Sequence, residues 1–521
     1  MTNPNHRPKV QSIISGGTQS TIVDIECHLS NSLPNIIIVG SVSKAVDEAR
    51  ERLRGSFATS HLMLPRKRIT VNLAPADVPK SDSGFDLAIA VAILLAGGEI
   101  TTDMPNNQAF IGELGLDGRT RPVRGLIGKI LFGRTKGINR YFIPAANIGQ
   151  ASLIPDIEIV AIESLTQLYG FLCLGLPLDV LRTGKGKKLT YLAKLPSADN
   201  FSLSEIVGHD RAKRVLQICA AGGHNLLFYG PPGTGKSMLS KSLTSIMPPL
   251  NREEILETTH LHSLSSMDFE NIVPERPFRS PHHSSSYISM IGGGPNLKPG
   301  EISLAHNGIL FLDELPEFNR FTIEALRQPL EDRVINLSRS RASINFPAGF
   351  TLVATANPCP CGYYNSSTNC LCSSAELGRY RSRISGPILD RIDLFCEIKD
   401  INHEQLLVSS KDEYSDNMAR ENVKAARDVQ LTRNKKASGG KMLLNSALPP
   451  ELLRTSAMIA YDAIDLLNKF AKQNNLSARG YMRTLKVART IADLDSCEGV
   501  SVTHVTEALS YRNTNFLGAN P

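Results

Sequence analysis

The sequence predicts an α/β multidomain chain, with one separate domain first, a parallel-sheet α/β core in the middle and an all-helical domain last. Three observations predict it. Short, wholly apolar runs "NLLFYG" from Asn225, "GILFLDEL" near residue 308 and "FTLVATAN" near residue 350 are separated by helical stretches, the pattern of parallel strands buried on both faces. Beyond about residue 400 such runs stop, and segments such as "ELLRTSAMIAYDAIDLLNKFA" carry apolar residues at helical spacing, so 401–521 reads as all-helical. Upstream, "RTGKGKKLTYLAKLPSADN", residues 182–200, is rich in Gly, Lys and Ser without apolar periodicity and reads as a basic linker. The expected segments are therefore 1–181, the linker 182–200, 201–400 and 401–521.

Composition limits the function. At 521 residues and 41% hydrophobic, the chain can bury roughly three cores. No secretory leader and no run of about 18 apolar residues is legible, so a cytoplasmic protein without a membrane partner is expected. The nine cysteines are then read as those of a reducing compartment, where clustered thiols are metal ligands or redox groups rather than structural disulfides. A net charge of +7 suits an anionic partner without proving one. Tryptophan is absent and aromatics are 6%, so any nucleic-acid contact is expected to be mainly to the backbone.

The most specific motif is "GPPGTGKS", residues 230–237, between an expected strand and an expected helix. Gly230, Pro231, Pro232, Gly233, Thr234 and Gly235 form a loop whose N–H groups can close around phosphate oxygens. Lys236 supplies charge for the β- and γ-phosphates and the Ser237 hydroxyl can reach Mg²⁺. Asp313 and Glu314 follow the second strand, where carboxylates face a ligand crevice; Asp313 can hold Mg²⁺ through water and Glu314 can polarise the attacking water. ATP and Mg²⁺ are the expected ligands.

Two insertions are candidates for contact with a substrate. Between Glu331 and Phe350 the sequence alternates like a β-hairpin with Arg339 and Arg341 near its tip, a way to follow a phosphate backbone without reading bases. "SPHHSSSYISMIGGGPNLKPG" brings His282, His283 and Lys298 together with a Gly triplet, a composition suited to a loop. Finally, Cys359, Cys361, Cys370 and Cys372 form C-x-C-x8-C-x-C. Such a set can surround Zn²⁺ tetrahedrally as a structural site, with free thiols or a redox-sensitive pair as the alternatives.

"FRSPHHSSS", "IGGGPNLKPGEISLAHNGILFLDEL", "NPCPCGYY", "RYRSRISGPILDRIDL" and "LSARGYMRTLKVARTIADL" together resemble the magnesium-chelatase-related family of AAA+ ATPases, in its ComM/YifB type. The resemblance covers nearly the whole chain. It implies an AAA+ core with a helical lid in a homo-oligomeric ring, a hexamer, each site being completed by a neighbour. Residue by residue, it implies that Asn357 is sensor 1, that Arg391 in "ILDRIDL" is the arginine finger reaching the adjacent site, with Arg383 a weaker candidate, and that Arg479 is sensor 2, with Arg483 one turn later. It further implies a DNA motor, a helicase promoting branch migration as DNA is integrated during natural transformation. The alternatives are a chelatase-like ATPase that remodels a protein partner and an ATP-dependent protease.

The protease alternative arises because "VNLAPADVPKSDSGFDLAIAVAILLA", "AFIGELGLDGRTRPVRG" and "KGINRYFIP" resemble the proteolytic domain of Lon-type proteases, which use a Ser nucleophile and a Lys base. Laid on the protease pattern, Gly84 occupies the nucleophile's place and Asp86 that of a small residue, whereas Lys129 matches the base. Ser81 and Ser83 lie nearby. The resemblance implies a degenerate Lon-protease-like α+β fold kept for assembly or binding.

Overall fold

The computed structural model describes residues 10–16, 19–41, 43–78, 80, 83–101, 104–105, 107–184, 201–265, 271–294, 297–339, 342–364, 369–399, 413–440 and 442–512. They fall into two compact units. The first comprises residues 1–195, 251–274 and 338–345, and the second comprises 196–250, 275–337 and 346–521.

The first unit is built on two mixed sheets. Strands β1 (Val10–Gly16), β2 (Gln19–Ser30), β3 (Asn35–Val39) and β4 (Arg68–Ala74) line up in the order β1-β2-β4-β3. The pairs β1/β2 and β2/β4 are antiparallel and β3/β4 is parallel. In β4 the alternation RITVNLA buries Ile69, Val71 and Leu73, the period of a sheet with one core face. Against it lies the helix Asp86–Gly97, whose residues Asp86 to Leu94 are all buried, as expected of a helix that is apolar all round. The second sheet takes β5 (Gln108–Phe110), β6 (Arg140–Pro144), β7 (Glu158–Ile162) and β8 (Val180–Arg182) in the order β8-β7-β6-β5.

Residues 251–274 bring to this unit a helix from the interior of the 201–400 segment, Arg252–Ser265. Its Arg252 Nε donates to the Leu153 carbonyl at 2.7 Å. Further along, its His260 ring lies over Gly128, where an added Cβ would come within 2.5 Å of Cε1. Periodicity along the chain gave no sign of this partnership.

The second unit is centred on a five-stranded sheet of β9 (Leu226–Tyr229), β10 (Phe278–Arg279), β11 (Ile309–Leu312), β14 (Thr351–Ala356) and β15 (Leu394–Glu397). Their order is β10-β11-β14-β9-β15, with every pairing parallel. The intervening β12 (Val334–Arg339) and β13 (Ala342–Pro347) form the expected two-stranded insertion. Because side chains alternate along a strand, the continuous apolar runs feed two cores. Leu226, Phe228, Ile309, Phe311 and Val353 point into one, while Leu227, Leu310, Leu312, Leu352 and Ala354 point into the other.

The first of these cores also takes Val423, Leu467, Leu485, Ile491 and Val505 from the C-terminal helices. Those helices are Glu413–Ala437, Pro450–Ser456, Tyr461–Gln473, Ala478–Leu494 and Val502–Ser510. The helical reading of the C-terminal region therefore holds among the described residues. A buried polar cluster orders it. Asp493 accepts from Arg433 at 2.6 Å and from Arg489 at 2.8 Å, and Arg489 also donates to the carbonyls of Ala457 and Glu498. Such a charge is tolerable inside only because it is paired and hydrogen-bonded. No described helix is long and apolar enough to cross a membrane.

Candidate active site

The loop 230–237 leaves β9 at the C-terminal end of the sheet and enters the helix Lys236–Ile246. Gly233 and Gly235 take φ of 81° and 83°, a left-handed region that glycine enters without cost. At Gly230 the constraint is contact, since an added Cβ would stand 2.1 Å from the Ile398 carbonyl oxygen. Lys236 is nearly buried, and its Nζ donates to the carbonyls of Gly230 at 2.8 Å and Pro231 at 2.6 Å and to Asn357 Oδ1 at 3.2 Å. The ammonium and the Asn357 amide are thus already gathered at the mouth of the loop. Thr234 Oγ1 closes the turn on the Pro231 carbonyl at 3.0 Å.

Asp313 and Glu314 stand exposed beyond the end of β11. The Ser237 hydroxyl lies 3.2 Å and 3.3 Å from the two Asp313 oxygens, a separation that suits a divalent cation shared between them. Thr355 donates to Asp313 Oδ1 at 2.6 Å and accepts from the Glu314 N–H at 2.9 Å. Sequence reasoning missed this threonine. Its signal was a hydroxyl inside the otherwise apolar "LVATAN", two residues before Asn357. The loop fits a nucleoside triphosphate: backbone N–H groups and Lys236 would hold the phosphates, Ser237 and Asp313 would hold Mg²⁺, and Glu314 and Asn357 would orient water. ATP supplies the scissile phosphoanhydride; the chain supplies charge and alignment.

The arginines are arranged less simply. Arg391 is 7% exposed. Its Nη1 donates to the Pro387 carbonyl at 2.7 Å and its Nη2 to Glu331 of the same chain. Arg479 donates to the other Glu331 oxygen at 3.2 Å. Arg483 donates to Asp393 at 2.5 Å and to the Arg391 carbonyl at 3.0 Å. Arg383 is half exposed and pairs with Glu317 at 2.8 Å. Burial alone would raise the Asp393 carboxyl, but Arg483, the nearby His224 and the Asn225 N–H hold it well below the usual range. Asn225 joins three strand ends: its N–H donates to Asp393, its Nδ2 to the Arg391 carbonyl, and its Oδ1 accepts from Leu352 N–H. Glu331, Asp393 and Asn225 were not anticipated, because their importance lies in partners 60 to 168 residues away.

The four cysteines come together. Their Sγ atoms all lie within 4.8 Å of one another, with Cys359–Cys361 at 3.3 Å, Cys361–Cys370 at 3.5 Å and Cys359–Cys370 at 3.7 Å. These distances far exceed a disulfide's, about 2.05 Å. They approach the edge of about 3.8 Å that a tetrahedron has when sulfur lies about 2.3 Å from zinc. Tyr364 N–H donates to Cys359 Sγ at 3.3 Å. The Tyr363 N–H and Cys359 pull the Cys361 thiol down to about 6, while Cys372 is pushed up to about 12. Crowded thiols do not all ionise without a cation, so the donor set fits zinc. The loop adjoins the phosphate loop within the same unit, because an added Cβ at Gly362 would meet Pro232 Cδ at 2.7 Å.

Of the substrate-contact candidates, His282 and His283 are exposed with ring centroids 4.0 Å apart. His283 borders an open cavity of about 820 Å³ that is also lined by Ser284–Tyr287, Asn319 and Phe321. Lys298 is exposed and pairs by its backbone with Gly293. Arg339 ends β12, and Arg341 lies outside the described residues. In the first unit, Gly84 accepts from Gly112 N–H at 3.0 Å, and Lys129 is fully buried on the helix Leu126–Thr135. Ser81 lies outside the described residues. Asp86 serves the fold, being buried, accepting from Arg52 at 2.6 Å and 3.0 Å, and accepting from the Leu114 N–H at 3.1 Å.

A five-stranded parallel sheet with a phosphate loop and an acidic strand end, followed by a helical C-terminal region, defines a P-loop nucleoside triphosphatase of the AAA+ type. Comparison with known proteins is more specific. Three family models match: "Magnesium chelatase, subunit ChlI" over residues 202–406, "Subunit ChlI of Mg-chelatase" over 25–147, and "Magnesium chelatase, subunit ChlI C-terminal" over 413–512. The chain is 42% identical to competence protein ComM of Haemophilus influenzae over 514 residues, covering 96% of this chain and 97% of that protein. It is 25% identical to the magnesium-chelatase 38 kDa subunit of Cereibacter sphaeroides, over 60% of this chain and 92% of that one. A further match, 26% identical, spans 37% of this chain and 20% of the DNA replication licensing factor Mcm2 of Drosophila melanogaster. The chain belongs to the magnesium-chelatase ChlI family of ATPases, in its ComM/YifB type.

Proposed function

We propose that this ATPase is a cytoplasmic ring motor that couples hydrolysis to movement on single-stranded or branched DNA, promoting branch migration as DNA is integrated in natural transformation or recombination. The observation that carries the reading is the likeness to a competence protein over nearly the full length of both chains, joined to an assembled phosphate-loop site. The partial likeness to a replication licensing factor favours DNA as the partner. In this reading Glu314 and Asn357 orient the attacking water, Arg479 is sensor 2, and Arg391 is the finger completing a neighbour's site in a hexamer. The cysteine loop holds a structural Zn²⁺, and the first unit is a protease-like fold without a nucleophile at Gly84.

The testing experiment measures ATPase rate with and without single-stranded or forked DNA, followed by strand displacement. Stimulation by DNA, abolished in Lys236→Ala, is the expected result. Hydrolysis indifferent to DNA, with no displacement or branch migration, sinks the reading. A second reading, a motor that remodels a protein partner, draws on the match to the chelatase subunit, and would show hydrolysis stimulated by protein and not by DNA.

A further inference from the structure

We propose that Glu331 is the positioning residue that keeps Arg391 and Arg479 within their own subunit and sets how readily the finger crosses to a neighbouring site. The inference rests on the reading of Arg391 as a finger acting in trans. Glu331 lies in the last turn of the helix Arg327–Asp332, with its side chain 47% exposed. Each of its oxygens takes one arginine: Oε2 accepts from Arg391 and Oε1 from Arg479. Burial would raise this carboxyl, but Arg391, with Arg479 and Arg483 beside it, holds it below the ordinary range. Glu331 is therefore an anion at neutral pH.

The same lid helix grips Arg391 twice. From Ala478–Leu494, Arg483 holds the Arg391 carbonyl and Asp393, while Arg479 shares the carboxylate that holds the Arg391 guanidinium. Arg391, its side chain 9% exposed, has one Nη on Glu331 and the other on Pro387. A guanidinium satisfied in this way cannot also reach a phosphate outside its subunit. It has to exchange one carboxylate for a triphosphate, whose larger charge and fork-matching oxygens make the stronger partner. A single carboxylate shared by two cations couples them: drawing Arg479 toward the subunit's own nucleotide changes the hold on Arg391. Glu331 is thus the point at which nucleotide occupancy in one subunit influences the finger it offers to the next.

Glu331→Gln keeps the shape and removes the charge. Measured without DNA, its kcat for ATP hydrolysis is expected to rise about fivefold over wild type and its KM for ATP to fall, the gain vanishing in Glu331→Gln combined with Arg391→Ala. Glu331→Asp keeps the charge but draws it back by one methylene, so that both arginines cannot be held; it should fall between the two. A purely structural role would lower the melting temperature without raising kcat. Unchanged or reduced kcat in a Glu331→Gln protein that melts like wild type overturns the proposal. If Arg391→Ala alone retains wild-type hydrolysis, it is the finger reading that fails instead.

Discussion

Glu314 follows β11 in a left-handed turn, φ 53°, a conformation that costs a non-glycine residue of order 1–3 kcal/mol and collects at functional sites. The bond from its N–H to Thr355 holds it there, which turns the carboxylate out beside Asp313. Position in sequence announced the acidic pair, but the threonine that orients both became visible only once β14 lay beside β11. His260 makes a separate residue-scale case. Burial pushes its imidazole down to about 4, below the unfolded value of about 6.5. A base whose folded pKa is depressed favours the neutral fold, so its contribution is complete above about pH 6.5 and is lost as pH falls through the window to about 4. Thermal melting from pH 7.5 to 4.5 should show wild type losing stability relative to His260→Leu. Parallel curves for the two proteins would remove His260 as the source of acid sensitivity.

At the scale of elements, the strands were legible because burial on both faces leaves continuous apolar runs such as "ILFL", and the helical region because its apolar spacing repeats. The cysteine loop was legible as a cluster. Its contact with the phosphate loop was not, because Gly362 and Pro232 lie far apart in sequence. In the proposed zinc-bound form that contact would have a mechanical consequence: a loop clamped by four thiolates would buttress the phosphate loop and link metal affinity to nucleotide affinity. Protein purified anaerobically should carry about one equivalent of zinc by metal analysis, and Cys372→Ser should carry much less and bind a fluorescent ADP analogue several-fold more weakly. Less than half an equivalent in wild type, or unaltered ADP binding in a zinc-depleted variant, contradicts the brace.

For the whole molecule, the expected assembly has a direct test. Lys236→Ala and Arg391→Ala should each be inactive alone. Mixed, they should recover measurable hydrolysis, because some interfaces then pair an intact phosphate loop with an intact finger; no recovery at any ratio argues against sites shared between subunits. By itself the sequence determined the parallel-sheet core, the helical C-terminal region, the phosphate-loop motif and the cysteine set. Each is written in local patterns: strand and helix periodicity, glycines where φ must be positive, and donor atoms at short spacing. Only the tertiary structure decided what those residues touch. It placed the helix Arg252–Ser265 in the first unit, gave Asp86 to Arg52, and set Arg391 and Arg479 on one carboxylate. These outcomes depend on charge pairing and close packing between segments distant in the chain, and no periodicity along the chain records a partner that far away.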